Sequence, residues 1–331
     1  MSESGRPIVR LLATGGTIAG AQTDPSARSY RSAAFSVQAL IAAVPRLADL
    51  AELQVEQVAA IGSQDMDNPT WLHLAARTRH ALADPHIAGV VITHGTDTME
   101  ETAYFLSLTV PTPKPVVLVG AMRPATAISA DGPMNLFNAV AVAAHPHARG
   151  RGVLVVANDE IHFAREVTKT NTTQVGTFRS SHRGLAGLVN SGRLHLFAPS
   201  ARACPTPFEV APSATLPRVE IVYAHAGMDR GLIDAAVAAG AAGIVIAGVG
   251  DGNIAAPALA ALADAAAKGV AVVRASRTGG GVVERNIEVD DDRLGFVAAD
   301  ELNPQKARVL LMLALTQTKQ PTQLQGWFDR C

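Results

Sequence analysis

The chain has 331 residues, 48% of them hydrophobic, and a formal net charge of −1. That length holds two domains of ordinary size around buried cores. The near-neutral charge and the 4% aromatic content exclude the basic surface and stacking platforms that nucleic acid needs, and the basic face that an acidic membrane needs. The two cysteines, Cys204 in a Pro-rich stretch and Cys331 at the last position, make no disulfide framework, and two free thiols are expected.

Met1 to Pro7 is polar, and the first apolar run is short and carries Arg10, so no secretory signal is read there. The uncharged run Ala235 to Gly250 is interrupted by glycines and is too short to span a bilayer. A cytoplasmic location is expected, or a periplasmic one for a form whose signal has been removed.

Ile8 to Thr14 is an apolar, β-prone strand that ends in Gly15-Gly16-Thr17. Paired glycines allow a sharp turn at a strand end, and a hydroxyl placed there can act as a nucleophile once its proton is taken. Ala21 to Ser32 is small, polar and charged, a surface loop suited to be a lid, with Tyr30 its one large side chain. Phe35 to Val44 predicts a helix stopped by Pro45, and Gln54 to Ile61 a strand followed by the polar turn Gly62-Ser63-Gln64-Asp65. Pro69 to Ala83 is helical, and Gly89 to Thr93 is an apolar strand running into His94-Gly95-Thr96-Asp97. Thr98 and Glu101 have capping-box spacing, so a helix is expected from there to about Leu108. The exposed N–H groups of its first turn favour negative charge beside Thr96 and Asp97.

Pro115 to Ala121, Gly132 to Ala144 and Gly152 to Asn158 predict strand, helix and strand, and Arg165 to Thr177 is a polar stretch around Lys169. Leu185 to Phe197 reads as short strands. After it, residues 198–217 carry prolines and little periodicity and predict a linker. The β–α rhythm then restarts: Val219 to Tyr223, Leu232 to Ala239, Gly243 to Ala247, Pro257 to Lys268 and Val270 to Ala275. Asn303-Pro304 caps a helix over Gln305 to Thr316, and a last short helix starts near Thr322. The expected architecture is α/β, with a larger N-terminal parallel-sheet domain over 1–197 and a smaller C-terminal Rossmann-like domain over 218–331.

Thr17, Ser63-Gln64, Thr96-Asp97 and the Lys169 loop all follow apolar strands. In an open α/β sheet such strand ends meet in one crevice. Two threonine hydroxyls, an acid and a lysine suit nucleophilic attack on a carbonyl carbon, with the lysine taking a proton. Each has a plain reading too: Ser63 and Gln64 as turn residues, Thr96-Asp97 as a cap, Lys169 as a surface lysine. A dinucleotide loop fails because Thr17 stands at its middle glycine. No Gly-Lys-Ser/Thr, no Gly-x-Ser-x-Gly and no His-Glu-x-x-His occurs. His145 and His147 lie in a surface turn, and His94 reads as a structural hydrogen-bonder. No metal is expected.

Thr14-Gly15-Gly16-Thr17-Ile18-Ala19 and the run from His94 to Phe105 resemble the two signatures of the bacterial-type L-asparaginases, the type II enzymes in particular. The similarity continues through Gly120 to Pro124, Ser129 to Pro133, Val167 to Asn171 and Asn303 to Arg308. The resemblance implies an L-asparagine amidohydrolase without cofactor, in which Thr17 attacks the side-chain amide to form a β-aspartyl ester. It implies that Tyr30 helps to activate Thr17 and that Thr96, Lys169 and Asp97 form a second catalytic set. Ser63 then meets the substrate α-carboxylate, and Gln64 and Asp97 meet its α-ammonium. Asn253 and Glu288 complete the site from a neighbouring subunit of a homotetramer built from tight dimers.

There are departures from the family pattern. Asp251 stands where many relatives have asparagine, the loop Ala21 to Ser29 is only loosely alike, and Arg277 to Glu284 differs. The cysteine pair of some secreted relatives is missing. Gln64, where enzymes that hydrolyse glutamine well often carry glutamate, implies a preference for asparagine. Other readings of the same residues are a dual glutaminase-asparaginase, an amidotransferase subunit, a non-catalytic amino-acid-binding protein, and a nucleotide-dependent oxidoreductase.

Overall fold

A computed structural model describes residues 5–22, 30–31, 34–197, 204 and 208–331, with the side chains of 30 and 31 left aside. It divides into two compact units, Met1–Ala201 with Glu209–Ala214, and Arg202–Phe208 with Thr215–Cys331. The segment expected as a linker is thus shared out between them.

The first unit opens with β1 (Ile8–Gly15), a short antiparallel ribbon of β2 (Ala21–Gln22) and β3 (Tyr30–Arg31), and helices α1 (Val37–Ala42) and α2 (Leu47–Leu50). Then come β4 (Glu52–Ile61), α3 (Asn68–Ala83), β5 (Ile87–Thr93), α4 (Met99–Thr109), β6 (Val116–Val119), α5 (Gly132–Ala144) and β7 (Val153–Ala157). Five short strands follow: β8 (Glu160–Phe163), β9 (Val167–Lys169), β10 (Phe178–Ser180), β11 (Gly187–Asn190) and β12 (Arg193–Leu196).

The main sheet runs β12-β11-β8-β7-β6-β5-β1-β4. From β7 to β4 it is parallel, and β5, β6 and β7 are unbroken apolar runs because helices cover both faces. At β8, β11 and β12 it is antiparallel, so the sheet is mixed where an all-parallel one was expected. The reversal is local. Asn158 and Asp159 both take positive φ, 50° and 63°, which is the geometry of a tight two-residue hairpin turn, and no crossover helix is inserted. The chain leaves β1 toward β4 and then crosses to β5 on the other side of β1. The sheet's switch point, where the crevice opens, therefore lies between β1 and β5.

The second unit contains β13 (Val219–Tyr223), α6 (Gly231–Ala238), β14 (Gly243–Gly248), α7 (Ala256–Ala267), β15 (Ala271–Ser276), α8 (Asp291–Leu294), β16 (Phe296–Ala298), α9 (Pro304–Ala314) and α10 (Pro321–Arg330). Its sheet, β13-β14-β15-β16, is parallel throughout. Side chains alternate across a strand. Ile244 and Ile246 accordingly join Ile233, Ala258 and Leu262 of α6 and α7, while Gly243 faces Leu311 of α9 on the other side.

Cys204 and Cys331 are disulfide-bonded, with Cα atoms 4.4 Å apart, so the expectation of two free thiols is overturned. The positions are 127 residues apart, and nothing local joins them. What joins them is α10: Gln325 accepts from the Ala298 N–H, and Trp327 meets Phe208 at 4.4 Å between ring centroids. That docking brings the last residue against Cys204.

Candidate active site

The site of the first unit begins with three strand ends held together through glycine. After β1, Gly15 and Gly16 take φ of 108° and 84°, and Gly16 has ψ of −175°, a conformation open in practice only to glycine. A Cβ on Gly16 would lie 2.4 Å from the Gly95 nitrogen, and one on Gly95 would lie 2.7 Å from Ser63 Oγ. The turns after β1, β5 and β4 therefore touch backbone to backbone. Gly16 N–H also donates to Ile61 O at 3.0 Å, and Thr14 Oγ1 donates to Thr93 O at 2.8 Å. Thr17 opens a single 3-10 turn on this platform and is buried.

Across the switch point, buried Thr96 and exposed Asp97 lead into α4. Lys169 reaches both from β9: its Nζ donates to Thr96 Oγ1 at 2.9 Å and to Asp97 Oδ1 at 2.6 Å. The β9–β10 ribbon, which the polar sequence around Lys169 did not announce, holds that lysine in register, with Lys169 opposite Phe178. Buried Glu100 accepts the Lys169 N–H at 2.7 Å and fixes the backbone from which the side chain extends. Glu100 was missed at the sequence level, because an acid in a helix's first turn reads as an ordinary response to the helix dipole.

Ser63 is also brought in. Its Oγ accepts the Asp97 N–H at 3.1 Å, and its carbonyl accepts from Thr98 Oγ1 at 2.7 Å. The expected Thr98–Glu101 capping box is therefore absent, since the Thr98 hydroxyl is directed across to the β4 turn. Gln64 is exposed and folds back over Gly62, its Nε2 3.3 Å from Asp65 Oδ2. The backbone of Tyr30 pairs with Gln22, while its side chain and residues 23–29 lie outside the described residues. Asn253 and Glu288 belong to the second unit.

His94 is fully buried. Its Nδ1 lies 2.7 Å from Gly95 O and its Nε2 2.9 Å from Thr102 Oγ1, which also accepts from Trp71 Nε1 at 2.8 Å. Desolvation pushes the imidazole down to about 4, against the pull of the Gly95 carbonyl. His94 is therefore a neutral strut beneath the Gly95-Thr96 turn, as the sequence suggested. On the far side, Asn135 Nδ2 donates to Gly120 O at 3.0 Å and its Oδ1 accepts from Asn158 N–H, tying the ends of β6 and β7 to α5. Among the described residues no group of three or more His, Cys, Asp or Glu could hold a metal ion, and no helix is long and apolar enough to cross a membrane.

A buried threonine after β1 and a hydroxyl–lysine–carboxylate chain across the switch point are groups of the kind that attack on a carbonyl carbon requires. Comparison with known proteins agrees with that chemistry. Residues 8–202 match the family model "Asparaginase, N-terminal", and residues 218–328 match the "Glutaminase/Asparaginase C-terminal domain". The chain is 51% identical to L-asparaginase 2 of Escherichia coli (strain K12), over 98% of this chain and 93% of that one. It is 43% identical to the glutaminase-asparaginase of Pseudomonas fluorescens biotype A, over 97% and 89%. The crystal structure of a probable cytoplasmic L-asparaginase from Campylobacter jejuni superposes with a TM-score of 0.95 at 44% identity, covering 98% of this chain and all of that one. With both halves matched in order, the chain belongs to the asparaginase family.

Proposed function

We propose that the protein hydrolyses L-asparagine to L-aspartate and ammonia, with Thr17 as the nucleophile. The observation that carries this reading is the Lys169 Nζ held at 2.9 Å and 2.6 Å from Thr96 and Asp97, across the switch point from Thr17. Thr17 Oγ attacks the side-chain amide carbon and gives up its proton. The amide nitrogen gains a proton and leaves as ammonia, and a β-aspartyl ester remains on Thr17. Water then opens the ester and returns a proton to the threonine oxygen. Thr96, whose oxygen accepts from Lys169, directs its own proton into the crevice toward the developing oxyanion. Thr96, Asp97 and Lys169 act as one proton-transfer chain, and Tyr30 assists Thr17 from the loop.

In the same reading Ser63 receives the substrate α-carboxylate, and Gln64 and Asp97 receive the ammonium. Asn253 and Glu288 reach the site of a neighbouring subunit in a homotetramer of tight dimers. The surface around them supports this: Tyr223, Val249, Val282 and Ile287 are exposed apolar residues near the same end of the second sheet. Relatives carry both compartments in their names, cytoplasmic for the Campylobacter jejuni protein and periplasmic for one from Haemophilus influenzae. The Cys204–Cys331 bond favours the second of the two locations expected from sequence, the periplasmic one, because disulfides persist in an oxidising compartment.

The test is ammonia release from L-asparagine and from L-glutamine, side by side, for wild type and Thr17→Ala. Asparagine turnover in the wild type and none in the variant is expected. Equal use of glutamine would overturn the specificity argument from Gln64, and hydrolysis of neither amide would overturn the activity.

A further inference from the structure

The departure at Asp251 has a structural counterpart in the second unit. Arg274, on β15, is almost wholly buried. Its Nε and Nη2 bond the two carboxylate oxygens of buried Asp291 at 2.6 Å and 2.7 Å. The two remaining contacts go to backbone. Nη1 donates to Asp251 O at 3.0 Å and Nη2 donates to Glu284 O at 2.9 Å. Asp251 Oδ1 in turn accepts the Glu284 N–H at 2.8 Å. One guanidinium and one carboxylate therefore join the turn after β14 to the segment that follows β15.

Each joined segment is closed on itself. The turn is pinned by the Val249–Asn253 bridge, with N···O distances of 3.0 Å and 2.7 Å, and by Ser276 Oγ donating to Gly250 O at 2.6 Å. Gly252 sits at φ +71°, where a Cβ would meet Arg274 Nη1 at 3.0 Å, so the turn lies directly on the guanidinium. The other segment is an arch from Asn286, whose N–H donates to Asp291 Oδ2 at 3.0 Å, to Val289, whose carbonyl accepts the Asp291 N–H. Glu288 rides on that arch, exposed, and Asn253 on that turn.

We infer that Asp251, Arg274 and Ser276 are positioning residues that lock the Asn253 turn onto the Glu288 arch, presenting the amide and the carboxylate as one preorganised unit to the substrate of the neighbouring site. This rests on the proposed sharing of Asn253 and Glu288 with a neighbouring site. Holding two polar groups in place before binding spares the ordering cost at the moment of binding, so its loss appears in KM rather than in kcat.

The experiment is steady-state kinetics on L-asparagine with the full-length protein, its size and melting midpoint checked alongside. Asp251→Ala raises KM about tenfold and holds kcat within about threefold, and Asp251→Asn, whose Oδ1 can still accept from Glu284 N–H, restores KM to within about twofold. Ser276→Ala, which frees Gly250 O at the other side of the turn, raises KM in the same way and serves if Asp251→Ala does not fold. An unchanged KM in these variants, with a raised KM in Asn253→Ala, overturns the brace and leaves the shared site standing. Unchanged KM in both Asn253→Ala and Glu288→Ala overturns the shared site, and the brace with it. A raised KM that Asp251→Asn does not restore, or one accompanied by a lower melting midpoint or a smaller assembly, also overturns the brace.

Discussion

In the proposed mechanism Lys169 and Gly16 serve the same site by different physics, and single substitutions separate them. The Lys169 side chain is mostly buried, but its partner Asp97 is 63% exposed. Water can replace the ammonium at that carboxylate, so the ion pair adds little to folding, within about 1 kcal/mol. Lys169→Met is therefore expected to unfold at the wild-type urea midpoint while kcat falls about 10²–10⁴-fold, the usual worth of a positioned proton carrier. Retained activity in a folded Lys169→Met would remove the lysine from the mechanism. Gly16→Ala acts on geometry instead. Its Cβ would stand 2.4 Å from Gly95 N, in backbone angles closed to alanine. A loss of about 1–3 kcal/mol from the strained backbone alone is expected, together with loss of turnover. A Gly16→Ala protein with wild-type stability would mean that the β1 and β5 turns are not in contact.

Secondary-structure elements whose signals are local were legible, and those whose signals are tertiary were not. Asn303 is a case of the first kind. Its side chain accepts the Lys306 N–H at 3.0 Å and starts α9 where Asn303-Pro304 predicted. Asn303→Ala should cost about 1 kcal/mol of stability in urea titration, and a change near zero would mean that tertiary packing alone sets that end. Thr98 is a case of the second kind. The same capping chemistry is written in the sequence, yet the Ser63 carbonyl takes the hydroxyl. The buried parallel strands were readable as apolar runs. Strands β11 and β12 were readable within Leu185 to Phe197, but β8 to β10 were not, because short strands with polar residues are stabilised by neighbours far off in the chain. The site followed the same division. Thr17, Ser63, Thr96, Asp97 and Lys169 stood out as polar groups after strands, whereas Glu100 looked like a helix-start acid. Asn253 and Glu288 became visible only through family resemblance.

Two features act on the molecule as a whole, the disulfide and the buried histidine. Reducing Cys204–Cys331 frees a loop that spans 127 positions, and about 2–4 kcal/mol of stability should go with it. A urea titration with and without reductant measures this, with Cys204→Ser as the control that reductant must not shift. His94 governs the response to acid. Its pKa is depressed to about 4 by desolvation, below the value of about 6.5 in an unfolded chain. Above pH 6.5 both states hold the ring neutral and its contribution is complete and level. Between pH 6.5 and 4 the unfolded chain binds a proton that the folded chain refuses, so stability falls by about 1.4 kcal/mol per pH unit, about 3 kcal/mol in all. Below pH 4 both states are protonated and the loss levels off. Protonation also has a geometric cost. Nε2 would become a donor facing the Thr102 hydroxyl, which in the neutral state donates to it, so the hydroxyl proton would have to rotate to another acceptor. Carboxylates titrate over the same range, but they do so equally in a variant without the imidazole. Unfolding free energies of wild type and His94→Gln at pH 7 and pH 4.5 should therefore differ in slope, with the wild type steeper by about 1.4 kcal/mol per unit below 6.5. Parallel slopes would mean that His94 takes its proton in the folded state. Because His94 supports the Gly95-Thr96 turn from beneath, the same acid limb should appear in turnover: activity lost on brief exposure to pH 4.5 should track the unfolded fraction and return on neutralisation.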